Sequence, residues 1–419
     1  MNDTGAVALA TAMSRTWRSF GLAAGIALSV ATAYGSNVTV DVGANATLSY
    51  LPATPLIAPG DTVHWVWGSG THSVTSGNCV GSLCTADSRF DSGIHGTPFT
   101  FDVLFTGAVR GRQPYFCAVH GAAMRGTIVV KTTPEDFNGD GTSDILWQNT
   151  SSGNVALWFM SASGTVQSSV GLGNAAGWTP MVGDFNGDGI ADILWQHSSG
   201  SVGLWLMNGN GTVQSTVGLG TVAGWTPTVG DFNGDGIADI LWQNTSSGNA
   251  ALWFMNTSGM VQSSVGLGNL SGWTPSAGDF NGDGIADILW QNTGSGNAAL
   301  WFMNANGTVQ SSVGLGNLSG WTPSVGDFNG DGIADILWQN TSSGNAAVWL
   351  MNANGTVLSN SGLGNLAGWT PRIGDYNGDG KADILWQNSA TGNVALWLMN
   401  GATVSQSLGL GNAASWTPR

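Results

Sequence analysis

The sequence predicts an all-β chain, with an N-terminal β-sandwich followed by a six-bladed β-propeller that the C-terminal strand closes. Three observations predict it. A nine-residue loop, Asp-Phe-Asn-Gly-Asp-Gly-x-x-Asp with Tyr376 for Phe in the last copy, begins at Asp136, Asp184, Asp231, Asp279, Asp327 and Asp375, at intervals of 48, 47, 48, 48 and 48 residues. A period of this length signals a repeat architecture. Each interval holds four short strand-like runs separated by Gly, Asn and Ser turns, the content of one propeller blade. Repeats two to six each follow a Gly-Trp-Thr-Pro run, whereas the first repeat lacks one; the missing piece stands at the other end, as Ser415-Trp416-Thr417-Pro418-Arg419. A solenoid also stacks repeats, but it has no reason to carry half of its first repeat at its far end.

In chain order, residues 1–35 read as a secretory signal. Arg15 and Arg18 precede an apolar run from Phe20 to Ala33 that ends in Ala31-Thr32-Ala33, a small-residue cleavage pattern. The run is short for a bilayer span, and no later stretch is apolar enough to be one. The first twelve residues lengthen the charged segment, and Met13 is an alternative start. The expectation is a secreted or periplasmic protein, in a compartment that permits disulfides.

Residues 36–131 form the expected sandwich. They hold all three Cys and four of the five His. Short alternating runs such as Thr62-Val-His-Trp-Val-Trp67 and Gly126-Thr-Ile-Val-Val130 are bounded by Gly, Pro and Asn. The chemistry lies in Tyr115-Phe-Cys117-Ala-Val-His120-Gly-Ala-Ala-Met124-Arg-Gly126, where a thiolate, an imidazole and a thioether fall within eight residues. His72, in Gly70-Thr-His72-Ser-Val74, supplies a second imidazole. Two His, one Cys and a weak axial Met are the ligand set of a mononuclear blue-copper centre.

With Pro59-Gly60-Asp61-Thr62-Val63-His64-Trp65 and Thr71-His72-Ser73-Val74 upstream, the segment resembles the plastocyanin/azurin-type cupredoxins over nearly its whole length. That resemblance implies one type 1 copper held by His72, Cys117, His120 and Met124, and electron transfer as the activity. Cys79 and Cys84 are close enough in a Gly/Ser loop to pair, which leaves Cys117 free for metal. Their small ring would add about 2 kcal/mol in the chain-entropy view. His64 alternates with Trp65 along a strand and reads as a surface residue. His95 lies in a Gly-rich loop and reads as solvated.

Residues 132–135 form a linker, and 136–419 carry the repeats. Oxygen side chains at loop positions 1, 3, 5 and 9 can surround a hard cation, with glycines at 4 and 6 allowing the turn. The candidate ligands are Asp136, Asn138, Asp140 and Asp144; Asp184, Asn186, Asp188 and Asp192; Asp231, Asn233, Asp235 and Asp239; Asp279, Asn281, Asp283 and Asp287; Asp327, Asn329, Asp331 and Asp335; and Asp375, Asn377, Asp379 and Asp383. An EF-hand would need Glu at position 12; here position 12 is Trp, as in Trp195. These repeats resemble the FG-GAP/VCBS class, found in integrin alpha-chain heads and secreted bacterial proteins. The resemblance implies about six calcium ions, with the position-7 carbonyl as a further ligand.

Charge agrees with that expectation. Eighteen of the 25 acidic residues are loop Asp, so six divalent cations would reduce the formal charge from -15 to about -3. Lys and Arg total 10 and form no patch, which speaks against a nucleic-acid partner. From Asp136 onward every carboxylate side chain belongs to a loop, the one His is His197 and there is no Cys. Acid–base or nucleophilic catalysis there lacks its groups. Five His in all are too few for a trinuclear copper oxidase, and a mature start near Tyr34 to Asn37 offers no N-terminal His. The leading expectation is therefore an exported, non-catalytic copper electron carrier whose propeller docks an unknown redox partner or surface. The alternative is a calcium-dependent adhesion or carbohydrate-binding protein with an accessory copper domain. Eighteen of the 21 Trp lie in the repeats; aromatic rows can bind sugars, but fixed positions favour packing between blades.

Overall fold

The computed structural model describes residues 37–53, 55–57, 61–105, 111–130 and 133–419. The expected signal segment, Pro59, Gly60 and part of the linker lie outside them. The chain divides into two compact units, with the boundary between Thr132 and Thr133.

The N-terminal unit is a two-sheet sandwich. One sheet orders Tyr50–Leu51, Asn37–Val42, Thr62–Trp67 and Thr100–Leu104; the other orders Leu56–Ile57, Gly121–Val130, Gly111–Cys117, Thr75–Val80 and Leu83–Asp91. Alternation decides which side chains face in. Val63, Trp65 and Trp67 are buried from one strand and Val40 and Val42 from its parallel neighbour. They meet Tyr115, Cys117, Met124 and Ile128 of the other sheet, and Val74 just before it, in one core cluster. Trp65 sits edge-on to Tyr115 at 5.6 Å, a favoured aromatic geometry. A short ladder pairs Thr71–His72 with His95–Gly96. Cys79 and Cys84 form a disulfide across the hairpin of the last two strands.

The repeat unit contains six four-stranded antiparallel sheets, a propeller-like repeat fold. The second sheet represents the pattern: Trp178–Gly183, the loop, Asp192–His197, Ser201–Met207 and Val213–Thr221. The second strand is buried on both faces over Asp192–Trp195, with Ile193, Leu194 and Trp195 in unbroken succession. The fourth is a largely exposed, uncharged edge in which Gln, Ser, Thr and Gly are interspersed with Val213, Val217 and Leu219.

The first sheet takes its fourth strand from the C-terminus. Trp416–Pro418 pairs antiparallel with Trp147–Asn149, in the register Trp147 to Pro418 and Asn149 to Trp416. Core clusters form between sheets rather than within them. The first and second share Phe137, Leu146, Leu157, Ile193, Trp195 and Met207; the sixth and first share Tyr376, Leu385, Leu396, Ile145 and Trp147. The aromatic at loop position 2 is fully buried in every copy, from Phe137 to Tyr376. It therefore anchors the loop to the core, while the neighbouring positions stay free for polar work.

Candidate metal centre

The hairpin formed by Gly111–Cys117 and Gly121–Val130 brings Cys117 and His120 together. Its register shifts at Cys117, which faces Gly121. A turn follows, with His120 N–H donating to the Cys117 carbonyl at 3.1 Å and Ala123 N–H to the His120 carbonyl at 3.3 Å. His72 arrives from the short strand on the neighbouring side. The His72 Nδ1 and His120 Nδ1 atoms are 3.3 Å apart, and the Cys117 Sγ lies 3.2 Å from His120 Nδ1 and 3.9 Å from His72 Nδ1. Among the described residues this is the one group of three His, Cys, Asp or Glu whose ligand atoms all lie within 4.8 Å of one another. Met124 is fully buried in the same core cluster as Cys117.

The donor set fits a first-row metal. A triangle with those three sides has its centre about 2.0 Å from each corner, close to the bond lengths of such metals to imidazole nitrogen and thiolate sulfur. The surrounding chain prepares His72 for that role. The Ser69 carbonyl accepts a hydrogen bond from its ring. A Cβ added to Gly43 or Gly70 would stand 2.7 or 2.6 Å from His72 Nε2, so both glycines, at φ +69° and +72°, hold that edge of the ring. With Nε2 facing the backbone, Nδ1 presents its lone pair to the cluster. Burial, and then the proximity of His120, push the His72 pKa below the usual histidine value, which keeps the ring neutral and able to ligate. The Cys117 sulfur accepts from Ser73 N–H at 3.4 Å, and Ser73 Oγ accepts from Ala118 N–H at 2.7 Å. No local pattern marks Gly43 or Ser69, because both contacts depend on how separate loops meet.

His95 departs from the sequence expectation. It is half-buried rather than solvated, stacks on Phe99 with ring centroids 3.6 Å apart, and lies opposite His72 in the ladder. Strand pairing across a Gly-rich loop is what draws it in. His64 pairs with Asp102 across the strands.

The six loops share one geometry. In the second, the Asp184 carboxylate accepts from the N–H groups of Gly187 at 2.7 Å and Gly189 at 2.8 Å. Asn186 Oδ1 accepts from Asp188 N–H, and Asp188 Oδ1 from Ile190 N–H, both at 2.9 Å. Asp192 behaves differently. It is fully buried, and its two oxygens accept from Phe185 N–H at 2.9 Å and Met207 N–H at 2.8 Å. Asp144, Asp239, Asp287, Asp335 and Asp383 repeat this pattern. Positions 1, 3 and 5 therefore gather around the turn, while position 9 turns into the sheet. Among the described residues, no loop brings its three carboxylates within 4.8 Å of one another.

Burial raises the carboxyls, backbone hydrogen bonds partly offset it, and neighbouring charges add to it. Asp144, Asp192, Asp239, Asp287 and Asp383 are pushed up to about 8, and Asp335 to about 7. Asp184, Asp279 and Asp375 are pushed up to about 6, and Asp231 to about 7.

The tryptophans fall into three environments. Those of the second strands, such as Trp242, are buried against the preceding sheet and lie 5.1–5.7 Å from the third-strand Trp. Those that open the first strands, such as Trp225, stay half-exposed. Their carbonyls accept from Gln side chains of the preceding sheet, Gln196 to Trp225 at 2.6 Å and Gln387 to Trp416 at 2.6 Å.

The FG-GAP-like repeat family matches residues 136–195, 184–242, 231–290, 279–338 and 327–386. Among solved structures, a purple cupredoxin from Nitrosopumilus maritimus is 23% identical over 22% of this chain and 99% of its own, with a TM-score of 0.19. A reduced amicyanin mutant is 24% identical over 23% of this chain and 82% of its own, with a TM-score of 0.18. A lectin from Agrocybe aegerita, described as recognising non-reducing terminal N-acetylglucosamine, is 15% identical over 82% of this chain and 91% of its own, with a TM-score of 0.45. No curated protein matches. The matched repeats span more than half of the chain, which thus belongs to the FG-GAP-like repeat family.

Proposed function

We propose that this protein is an exported, non-catalytic carrier of single electrons, with one type 1 copper and a calcium-stabilised propeller that docks a partner or surface. The observation that carries the reading is the triangle of His72 Nδ1, Cys117 Sγ and His120 Nδ1. Bound copper would supply a one-electron couple. His72, Cys117, His120 and Met124 would hold it, with two imidazoles, a thiolate and a weak thioether as donors. Burial of Cys117 and Met124 keeps solvent from the sulfur ligands. The glycine cradle of His72 supports a site that changes little on gaining or losing an electron.

Six sheets, six inter-sheet clusters and the pairing of Trp416–Pro418 with the first sheet support a closed six-bladed ring. The loops suit calcium because they offer only oxygen donors. Their buried, mutually repelling carboxyls are relieved by a cation. The Cys79–Cys84 disulfide is compatible with export. No helix among the described residues is long and apolar enough to cross a membrane.

Metal analysis with a visible spectrum tests the reading on purified protein. One copper, about six calcium and an intense thiolate-to-copper band are expected. A Cys117→Ser protein that kept the band would overturn the copper assignment.

One feature favours a second reading, calcium-dependent carbohydrate binding. The tryptophans that open the first strands keep part of their rings exposed beside Asn/Ser turns, as sugar stacking requires. Glycan-array binding lost on chelation, with no redox partner found, would select it.

A further inference from the structure

The six loops are joined to one another. In the second, the peptide group between Ile190 and Ala191 has two ends. Its N–H donates to the Asp136 carbonyl of the first loop at 2.7 Å. Its carbonyl is the backbone oxygen that the calcium reading gives to the cation of its own loop. Ala238, Ala286, Ala334 and Ala382 likewise donate to the Asp that opens the preceding loop, and Ser143 of the first loop donates to Asp375 of the sixth. All six bonds are 2.6–2.7 Å long, at the short end for N–H to carbonyl. A side-chain contact runs beside at least five of them. A Cβ on Gly139 would stand 3.0 Å from Ile190, and one on Gly378 3.1 Å from Thr142, so position 7 of one loop lies on position 4 of the loop before it.

We propose that the six loops bind calcium cooperatively, each filled loop preparing the preceding one through the peptide group between positions 7 and 8. The proposal rests on the reading of the loops as calcium sites. A cation on the carbonyl of that peptide polarises it and strengthens its N–H as a donor. It also fixes the orientation of the peptide. The accepting carbonyl belongs to the Asp whose carboxylate gathers the amides of the next turn, as Asp184 does for Gly187 and Gly189. Ordering one loop thereby meets part of the ordering cost of its neighbour. The coupling is reciprocal. Because Ser143 bonds to Asp375, no loop stands at an end, and each has a neighbour on both sides.

The test is a calcium titration of the chelator-treated full chain by calorimetry, repeated on an Asp279→Asn/Asp283→Asn variant that silences the fourth loop. Asn keeps an acceptor oxygen for the backbone amides, and melting curves check that the variant folds. The wild type is expected to fill with a Hill coefficient on the order of 2. In the variant, the mean affinity of the five remaining sites is expected to fall about fivefold or more. A non-cooperative wild-type isotherm, or five sites of unchanged affinity in the variant, overturns the coupling and leaves the calcium reading standing. No calcium uptake by the wild type overturns both.

Discussion

Ser73 holds Cys117 and the residue after it: Ser73 N–H donates to the Cys117 sulfur at 3.4 Å, and Ser73 Oγ accepts from the N–H of Ala118 at 2.7 Å. The first bond would moderate the charge on a metal-bound sulfur, and the second holds the chain that carries it. Ser73→Ala keeps the first and removes the second. It also removes the buried contact of Ser73 Oγ with Thr75 Oγ1 at 2.9 Å, so urea denaturation is expected to show a loss of about 1–2 kcal/mol, with copper still bound.

Gly70 predicts a larger effect on the metal. A Cβ there would stand 2.6 Å from His72 Nε2, at a φ of +72°. Gly70→Ala must strain the backbone or push the ring. A stability loss of about 1–3 kcal/mol is expected, together with weaker copper binding in a competition titration. An Ala substitution at Gly81, where an added Cβ meets nothing, is the control that should leave copper affinity unchanged.

Position 9 of the loops should matter without any metal. Both oxygens of Asp239 accept backbone amides, from Phe232 at 3.0 Å and Met255 at 2.8 Å. Asp239→Ala leaves two buried donors without partners, so a loss of at least ~2 kcal/mol is expected in chelator. A loss seen only in the presence of calcium would show that Asp239 acts as a ligand alone.

The raised carboxyls set the direction of a pH effect. With folded-state values of about 6 to 8, the metal-free folded chain binds more protons than the unfolded chain between pH 4 and 8. Its stability is then greatest at the acid end and falls as pH rises through that window. Melting temperatures in chelator should drop from pH 5 to pH 8. With saturating calcium the slope should flatten or reverse, because protons compete with the cation.

Removing residues 415–419 tests closure. It deletes the strand paired with Trp147–Asn149 and the Trp416 carbonyl that accepts from Gln387, and leaves the first sheet with an open edge. A melting temperature lower by several degrees and a rise in aggregation measured by light scattering are expected.

The repeat period made the sheets legible, and the displaced Trp416-Thr417-Pro418 made the pairing of chain ends legible, since both are patterns along one dimension. His72, Cys117 and His120 were legible because their residue types are rare here and their chemistry is specific. Other features depend on distant segments meeting, so no local pattern encodes them. Gly43 and Ser69 gain their roles only when two loops close over His72. The inward turn of Asp192 depends on Met207, a strand away. His95 reads as an ordinary loop histidine until its strand pairs with that of His72.

The pairing of Trp147 with Pro418 also sets a timetable for synthesis. The sandwich has every strand it needs by Val130, so it can fold while the repeats are still being made. The first repeat cannot complete its sheet until Trp416–Pro418 has been made. Contacts this far apart in sequence form slowly. Until then the strand at Ile145–Asn149 lacks its partner Trp416–Pro418, and that open edge is one where a neighbouring nascent chain of the same sequence could insert its own Trp-Thr-Pro segment instead.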